Sequence, residues 1–296
     1  ILDHLMKTPV DYNVNIVHLT PEHIPLFKQS DKFNINLTVW ETTKIHPEWE
    51  DHLNSSDAVI VPCEWNKEIF RSCGVKKEIS VVPHILDREH FESNSSKLNI
   101  DGISNSDFNF YSIFQWTARK NPDGLIRAYL SAFAGHDDVS LVLKTYGSDA
   151  SEREINAIKK LIDNIKTSMN FYKKAYPKIY LVTDVLSNDE MVSMHNSFDC
   201  YVSAARSEGW GLGYFEAMAA GKPAIGIKHT GNEAFMDDSN SYLVGGTWTP
   251  VCGMPHFRWY VGDQYWVEPD LKELCETMRH VYDNRDEAKN KGLKAR

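Results

Sequence analysis

The chain has 296 residues, enough for about two domains of ordinary size, and its 42% hydrophobic and 25% charged content is a globular balance that excludes a disordered, collagenous or disulfide-scaffold protein. Its 41 acidic against 32 basic residues leave a formal charge of −9, which repels a phosphate backbone at long range and argues against nucleic acid as a partner. No window comes near the roughly 18 consecutive apolar residues a spanning helix needs, and nothing at the start has a secretion-signal layout, so no membrane span is expected.

Short apolar runs rich in β-branched residues alternate with helical patterns throughout, the signature of α/β layers with a largely parallel sheet. In the first third the pattern predicts strands over 14–19, 35–40, 57–62 and 79–82, with a helix over 64–73. Residues 94–107 are rich in Ser, Asn and Asp and poor in large apolar side chains, as a solvated connection would be, which divides the chain into residues 1–104 and 105–296. Strands over 108–114, 139–146, 179–183 and 200–203 follow, interleaved with helices over 122–133, 152–165 and 188–195. Asn121-Pro122 supplies an N-cap and a first-turn proline, while Ser151 with Glu154 and Ser187 with Glu190 have capping-box spacing. Leu125, Ile126, Tyr129, Leu130 and Phe133 recur on one helix face, so a doubly wound domain is expected, with its ligand crevice at the carboxyl ends of the strands. Leu271, Leu274, Cys275, Met278, Val281 and Tyr282 fit one face of a further helix.

The five cysteines, Cys63, Cys73, Cys200, Cys252 and Cys275, are odd in number, widely spaced and free of any Cys-x-x-Cys pair. That pattern fits buried thiols in a reducing, cytoplasmic compartment rather than a zinc site or a disulfide framework. Three Asn-x-Ser/Thr sequons, at Asn36, Asn54 and Asn94, are read as chance. The first residue is Ile1 and the helical ending at 290–293 lacks a cap or apolar anchor, so the chain reads as a fragment.

The chemistry concentrates between Ser207 and Pro223, after a predicted strand, where Gly209, Gly211 and Gly213 stand at alternate positions ahead of a helix that stops at Gly221-Lys222-Pro223. Glycines at such a turn let backbone N–H groups approach a phosphate, and the helix dipole adds roughly half a positive charge there. A tight turn alone is the plain alternative. Glu208 and Glu216 put one carboxylate in the loop and one in the first turns of the helix, where both can accept hydrogen bonds from sugar or ribose hydroxyls. A solvated glutamate is the alternative, more readily for Glu208 than for Glu216.

The same stretch resembles the signature of retaining glycosyltransferases of the GT-B fold, in family four: a Glu, seven residues and a second Glu, then Ala-Met-Ala-x-Gly-x-Pro, all present from Glu208 to Pro223. The resemblance implies an α/β protein of two Rossmann-like domains facing a cleft, the amino-terminal one incomplete. It implies that Glu216 holds the ribose hydroxyls of a nucleotide-sugar donor and that Glu208 contacts the transferred sugar. Backbone groups around Gly209, Gly211, Leu212 and Gly213 would touch the diphosphate or the sugar.

A second match runs from Phe114 to Pro122. Two adjacent cations at a strand's carboxyl end, Arg119 and Lys120, can stabilise a departing diphosphate in a partly desolvated cleft. Lys120 matches the family's diphosphate lysine. The usual Gly-Arg pair is replaced near Phe114-Gln115, which leaves Arg119 or Gln115 as the second contact, with a solvated pair as the plain alternative. The loop 184–187, with Leu186, resembles the segment whose backbone reads the nucleobase. Thr230-Gly231-Asn232-Glu233 resembles a Gly-Gly-x-x-Glu loop that brings Asn232 near the donor crevice; a plain turn before a helix over 233–236 is equally consistent. More loosely, 54–62, Trp65, Phe70, 81–87 and Phe91 resemble the last strands of the acceptor domain. Trp40-Glu41 stands where the family often carries a histidine near the sugar, and nearby His46 is given no role. Six aromatics between Gly245 and Val267, Trp248, Phe257, Trp259, Tyr260, Tyr265 and Trp266, fit packing of an inserted hairpin better than sugar stacking.

The resemblance implies glycosyl transfer from a UDP- or GDP-sugar to a saccharide, lipid-linked or other hydroxyl acceptor, as in polysaccharide biosynthesis. Configuration would be retained, with neither metal nor cofactor, a donor phosphate oxygen taking the acceptor's proton. No Asp-x-Asp cluster or side-chain nucleophile stands out in the sequence. A lipid acceptor would bring peripheral membrane contact, and the oligomeric state is left open. The competing readings are a GT-B epimerase or phosphorylase, and a non-catalytic sugar- or nucleotide-binding or assembly subunit.

Overall fold

The computed structural model describes residues 10–93, 96–98, 100, 102–104, 106–135, 137–147, 151–172 and 175–296. The third sequon, at Asn94, and parts of the connection over 94–107 lie outside the described residues.

The first sheet is wholly parallel, with β1 (Val14–His18), β2 (Phe33–Leu37), β3 (Ala58–Val61) and β4 (Glu78–Val81) in sequence order. Between them lie α1 (Ile24–Phe27), α2 (Pro47–Ser55) and α3 (Glu64–Ser72). Trp49 and Leu53 on α2 and Phe70 on α3 are fully buried against Val59 and Val61 of β3. The strand expected over 35–40 instead occupies Phe33–Leu37, because the chain leaves the sheet there: the Trp40 N–H donates to the buried Asn66 side chain of α3 at 2.7 Å. α2 escapes the periodicity reading since only Trp49 and Leu53 are apolar on it; His46 caps it and Pro47 opens it. A short helix, α4 (Arg88–Ser93), precedes the connection to the second sheet.

The second sheet holds β5 (Phe108–Gln115), β6 (Val139–Tyr146), β7 (Lys178–Val182), β8 (Cys200–Val202), β9 (Ala224–Ile227) and β10 (Tyr242–Val244), in the spatial order β10-β9-β8-β5-β6-β7 and all parallel. Helices α5 (Pro122–Ala132), α6 (Glu152–Met169), α7 (Asn188–Ser197) and α8 (Leu212–Ala219) connect these strands, and α9 (Leu271–Asp283) and α10 (Arg285–Ala295) end the chain. One face packs Phe110, Leu141, Leu125 and Leu274; the other packs Tyr111, Val142, Met194 and Tyr214. Full burial of a side chain such as Leu125 contributes about 1.5–3 kcal/mol. With both faces covered, β6 is buried from Val139 to Thr145 and reads as a continuous rather than an alternating pattern. β9, where Ala224 and Gly226 interrupt the β-branched pattern, and β10 are not among the strands the sequence predicts.

Asn121 caps α5, Ser151 caps α6, and Ser187 forms a full capping box with Glu190 on α7. In place of the helix expected over 233–236, a 3₁₀ turn runs Gly231–Ala234, fixed by the Asn232 amide donating to the Ile227 carbonyl at 3.0 Å. β11 (Gly246–Pro250) and β12 (Tyr265–Pro269) pair as an antiparallel hairpin. Its tip returns to the first sheet, where Tyr260 lies 4.7 Å from Trp40 and Trp259 5.1 Å from Trp49 between ring centroids. Trp266 is fully buried, whereas Trp248, Phe257 and Tyr265 stay exposed.

Candidate active site

The strand order reverses between β5 and β8, so the loops leaving their carboxyl ends diverge to opposite faces and open a crevice between them. The loop after β5 carries Arg119 and Lys120, and the loop after β8 carries Glu208, Gly209 and Gly211 into α8. A cavity of about 460 Å³ lies at that switch point. Gln115, Arg119, Lys120, Glu208, Gly209, Gly211, Leu212, Gly213 and Glu216 all line it. The first sheet closes the opposite wall with Val39, Glu41 and His84.

The loop 203–210 is buried for most of its length, which requires its backbone groups to find partners. The Arg206 N–H donates to the Arg119 carbonyl at 2.7 Å, and its carbonyl accepts from the Val267 N–H of β12 at 2.9 Å. The Arg206 guanidinium clasps Glu268 through Nε and Nη2, at 2.5 and 3.1 Å, and also reaches the Ala118 carbonyl. The hairpin therefore ties the two cavity loops together. Gly209 and Gly231 are needed for close approach: a Cβ on Gly231 would stand 2.1 Å from the Gly209 carbonyl oxygen, and one on Gly209 would strike Val39 and the Trp40 carbonyl. Asn66 of α3 donates to the Gly209 carbonyl at 3.0 Å, so one amide braces both the glycine loop and the chain at Trp40.

Four charged side chains form a compact group. Arg119 meets Glu208 at 3.2 Å and Glu41 at 3.4 Å, and Lys120 contacts Glu208 directly. Tyr260 donates to the other Glu41 oxygen at 3.0 Å. Burial alone would raise the Glu208 carboxyl, but Lys120 and Arg119 outweigh it and hold it below the usual carboxylate range. Burial works against the Arg119 cation too, yet Glu41 and Glu208 leave it more firmly protonated than a free arginine. For Lys120, burial and the neighbouring Arg119 charge prevail over Glu208 and push the ammonium below its ordinary range. The two cations are thus already matched by two carboxylates.

α8 begins at Gly211, which has φ of +93°, a left-handed conformation suited to glycine, and no side chain caps that end. Leading N–H groups of α8 are therefore available to an anion in the cavity. Gly213 keeps its place because a Cβ would meet the Tyr201 hydroxyl at 2.1 Å. Glu216, in the second turn, is partly exposed on the same cavity and accepts from His195 Nε2 at 3.3 Å.

Leu186 is not brought here, and Asn232 lies behind the glycine loop rather than on the cavity wall, its Cβ 3.4 Å from where a Cβ on Gly211 would stand. Leu186 faces a separate cavity with Leu98, Ile100 and Val185 and packs on the core beneath β7, one strand beyond β6 from the switch point. Asn232 is buried, its amide bracing the 3₁₀ turn. His46 accepts from the Glu48 N–H as a helix cap and stacks edgewise on Trp259. Glu41, His84, Trp210 and Tyr146 line the cavity without having been assigned; for Glu41 the only signal was its place beside Trp40. Among the described residues no three His, Cys, Asp or Glu side chains cluster as metal ligands, and no helix is long and apolar enough to cross a membrane.

Over 180 residues the chain is 24% identical to the alpha-monoglucosyldiacylglycerol synthase of Streptococcus pneumoniae (strain ATCC BAA-255 / R6), a match that takes in 58% of this chain and spans only 38% of that relative. Among solved structures it is similar to Anabaena Alr3699/HepE in complex with UDP and glucose, with a TM-score of 0.66 and 14% identity over 96% of this chain and 72% of that one. It is also similar to the pneumococcal O-GlcNAc transferase GtfA in complex with UDP and GlcNAc, with a TM-score of 0.58 and 18% identity over 90% of this chain and 49% of that one. At these identities the likeness shows the fold, which is the α/β GT-B arrangement with parallel sheets. Residues 97–247, half of the chain and including both cavity loops, match the family described as glycosyl transferases group 1, and the chain belongs to that family.

Proposed function

We propose that the protein transfers a sugar from a nucleoside-diphosphate sugar to a hydroxyl acceptor, with retention of configuration and without a metal ion. One observation carries this reading: two cations, an uncapped helix start and two carboxylates converge on one cavity at the switch point of a parallel sheet. The diphosphate lies against Lys120, Arg119 and the N–H groups at Leu212 and Gly213, which stabilise the charge that develops as the sugar departs. Glu208 turns from its cations toward the transferred sugar, and Glu216 accepts from the ribose hydroxyls. The acceptor approaches from the first sheet, past Val39, Glu41 and His84. A donor phosphate oxygen on the same face takes its proton as the new glycosidic bond forms and the sugar–phosphate bond breaks.

In this reading residues 105–296 form the donor domain and residues 1–104 the acceptor side. UDP is the first donor nucleotide to test, since both similar structures named above hold it. A lipid-linked acceptor is favoured by the match to a diacylglycerol-modifying relative. The test is calorimetry with UDP, GDP and ADP, followed by product analysis with the matching sugar donors and lipid or saccharide acceptors. Micromolar binding of one nucleotide and its loss in Glu216→Ala are expected; no binding below millimolar concentration of any of the three would remove the donor-site reading.

A further inference from the structure

We infer that His195, held in place by Tyr111, is a positioning residue that aims the Glu216 carboxylate at the ribose of the bound nucleotide; the inference rests on the donor-site reading above. His195 sits on α7 and is completely buried. Its Nδ1 lies 2.8 Å from the Tyr111 hydroxyl and its Nε2 lies 3.3 Å from Glu216 Oε2. The ring thus bridges the middle of β5 to the second turn of α8, and Phe91 of α4 packs over it at 6.3 Å between ring centroids.

The chemistry sets the direction of the chain of hydrogen bonds. A carboxylate can only accept, so Nε2 carries the proton; with that single ring proton Nδ1 accepts, and the Tyr111 hydroxyl donates to it. Burial keeps the Tyr111 phenol protonated, as that role requires. Tyr111 is itself fixed by Phe198 and Tyr201, at 5.4 and 5.3 Å between ring centroids. The line therefore runs from a fully buried tyrosine through a buried imidazole to a carboxylate that faces open space.

Glu216 needs such a guide. It borders both the donor cavity and a second one of about 490 Å³, which His195 itself lines together with Asp87, His90, Asn188 and Asp189, so an untethered side chain could turn to either. Tethering Oε2 to His195 fixes that oxygen at the border between the two cavities and leaves Oε1 for a ligand hydroxyl on the donor side. A phenylalanine or leucine pair would fill the same volume with no polar group to satisfy, so packing alone does not account for a histidine and a tyrosine hydroxyl at this depth.

The test uses the full chain and two probes, UDP and 2′,3′-dideoxy-UDP, whose affinity ratio reads the ribose contacts alone. Wild type should prefer UDP by about tenfold or more, the range of a hydrogen bond to a charged group. His195→Phe and His195→Asn should bind UDP about tenfold more weakly, within reach of the dideoxy probe, whose own affinity stays within about twofold. His195→Gln, whose terminal amide reaches the place of Nε2, should restore most of the preference. Equal weakening of both probes in the Phe and Asn variants, or an unchanged ratio in either, overturns the positioning role. If Glu216→Ala erases the ratio while the His195 variants keep it, the relay alone fails. If wild type shows no ratio, or Glu216→Ala keeps it, the donor-site reading of Glu216 fails with it. Should His195→Phe not fold, the Asn and Gln pair decides the matter.

Discussion

Replacing Glu208 by Gln probes whether the cations of the cavity are neutralised before a donor arrives. The change keeps the side chain's shape and removes one charge from a group in which Arg119 stands at 3.2 Å and Lys120 is in direct contact. At an effective dielectric of about 20, a pair at this range is worth about 4 kcal/mol before the cost of burying it, and removing one partner of a buried pair destabilises by about 3–5 kcal/mol. These side chains keep 11–20% of their exposure, and the amide oxygen still accepts a hydrogen bond, so a loss of about 2–3 kcal/mol is expected. For a chain of this size that lowers the thermal midpoint by roughly 3–5 °C. UDP affinity should move the other way, by about tenfold or 1.4 kcal/mol, because Lys120 no longer has to leave a carboxylate to meet the diphosphate. UDP is the right probe because it lacks the sugar that Glu208 is proposed to contact. Circular dichroism melts and calorimetry at one ionic strength give both numbers. An unchanged midpoint together with weaker UDP binding would refute the counter-ion argument.

Lys120→Ala should lower kcat by about 100-fold or more and change UDP affinity far less, since its charge matters most as the diphosphate departs; steady-state kinetics with the identified donor measure the split. Gly213→Ala places a methyl group 2.1 Å from the buried Tyr201 hydroxyl and should shift the start of α8, costing about 1–3 kcal/mol and UDP affinity together. Gly262→Ala, where a Cβ meets nothing within 4 Å, is the matched control in the same denaturation series. The folded Glu208 carboxyl is held below its unfolded value, so its stabilisation is complete above the unfolded carboxylate range, about pH 4.3, and disappears as pH falls through the depressed folded value. Stability measured from pH 7 downward should therefore fall less steeply in Glu208→Gln than in wild type; parallel curves would contradict this.

The donor-side architecture was legible because local signals agreed. Apolar runs marked β5 and β6, and Asn121-Pro122, Ser151 and Ser187 marked helix starts whose caps form as their spacing implies. The stretch from Glu208 to Pro223 announced a strand, a glycine turn and a helix, each of which depends on residues close in sequence. Where the signals were mixed, the reading lapsed: Ala224 and Gly226 interrupt the pattern of β9, and α2 buries only two apolar side chains.

The residue types, their local spacing and the alternation of strand and helix were enough to determine a parallel α/β chain with a glycine-led helix start and two cations after a strand. The tertiary structure alone decided which groups share a cavity. Glu41 meets Arg119 across 78 positions only because Asn66 and the hairpin at Trp259 and Tyr260 hold the first sheet against the second. His195 reaches Glu216 only because β5, α7 and α8 pack side by side. Such contacts follow from strand order and burial, which summed long-range packing decides and no short window of sequence records.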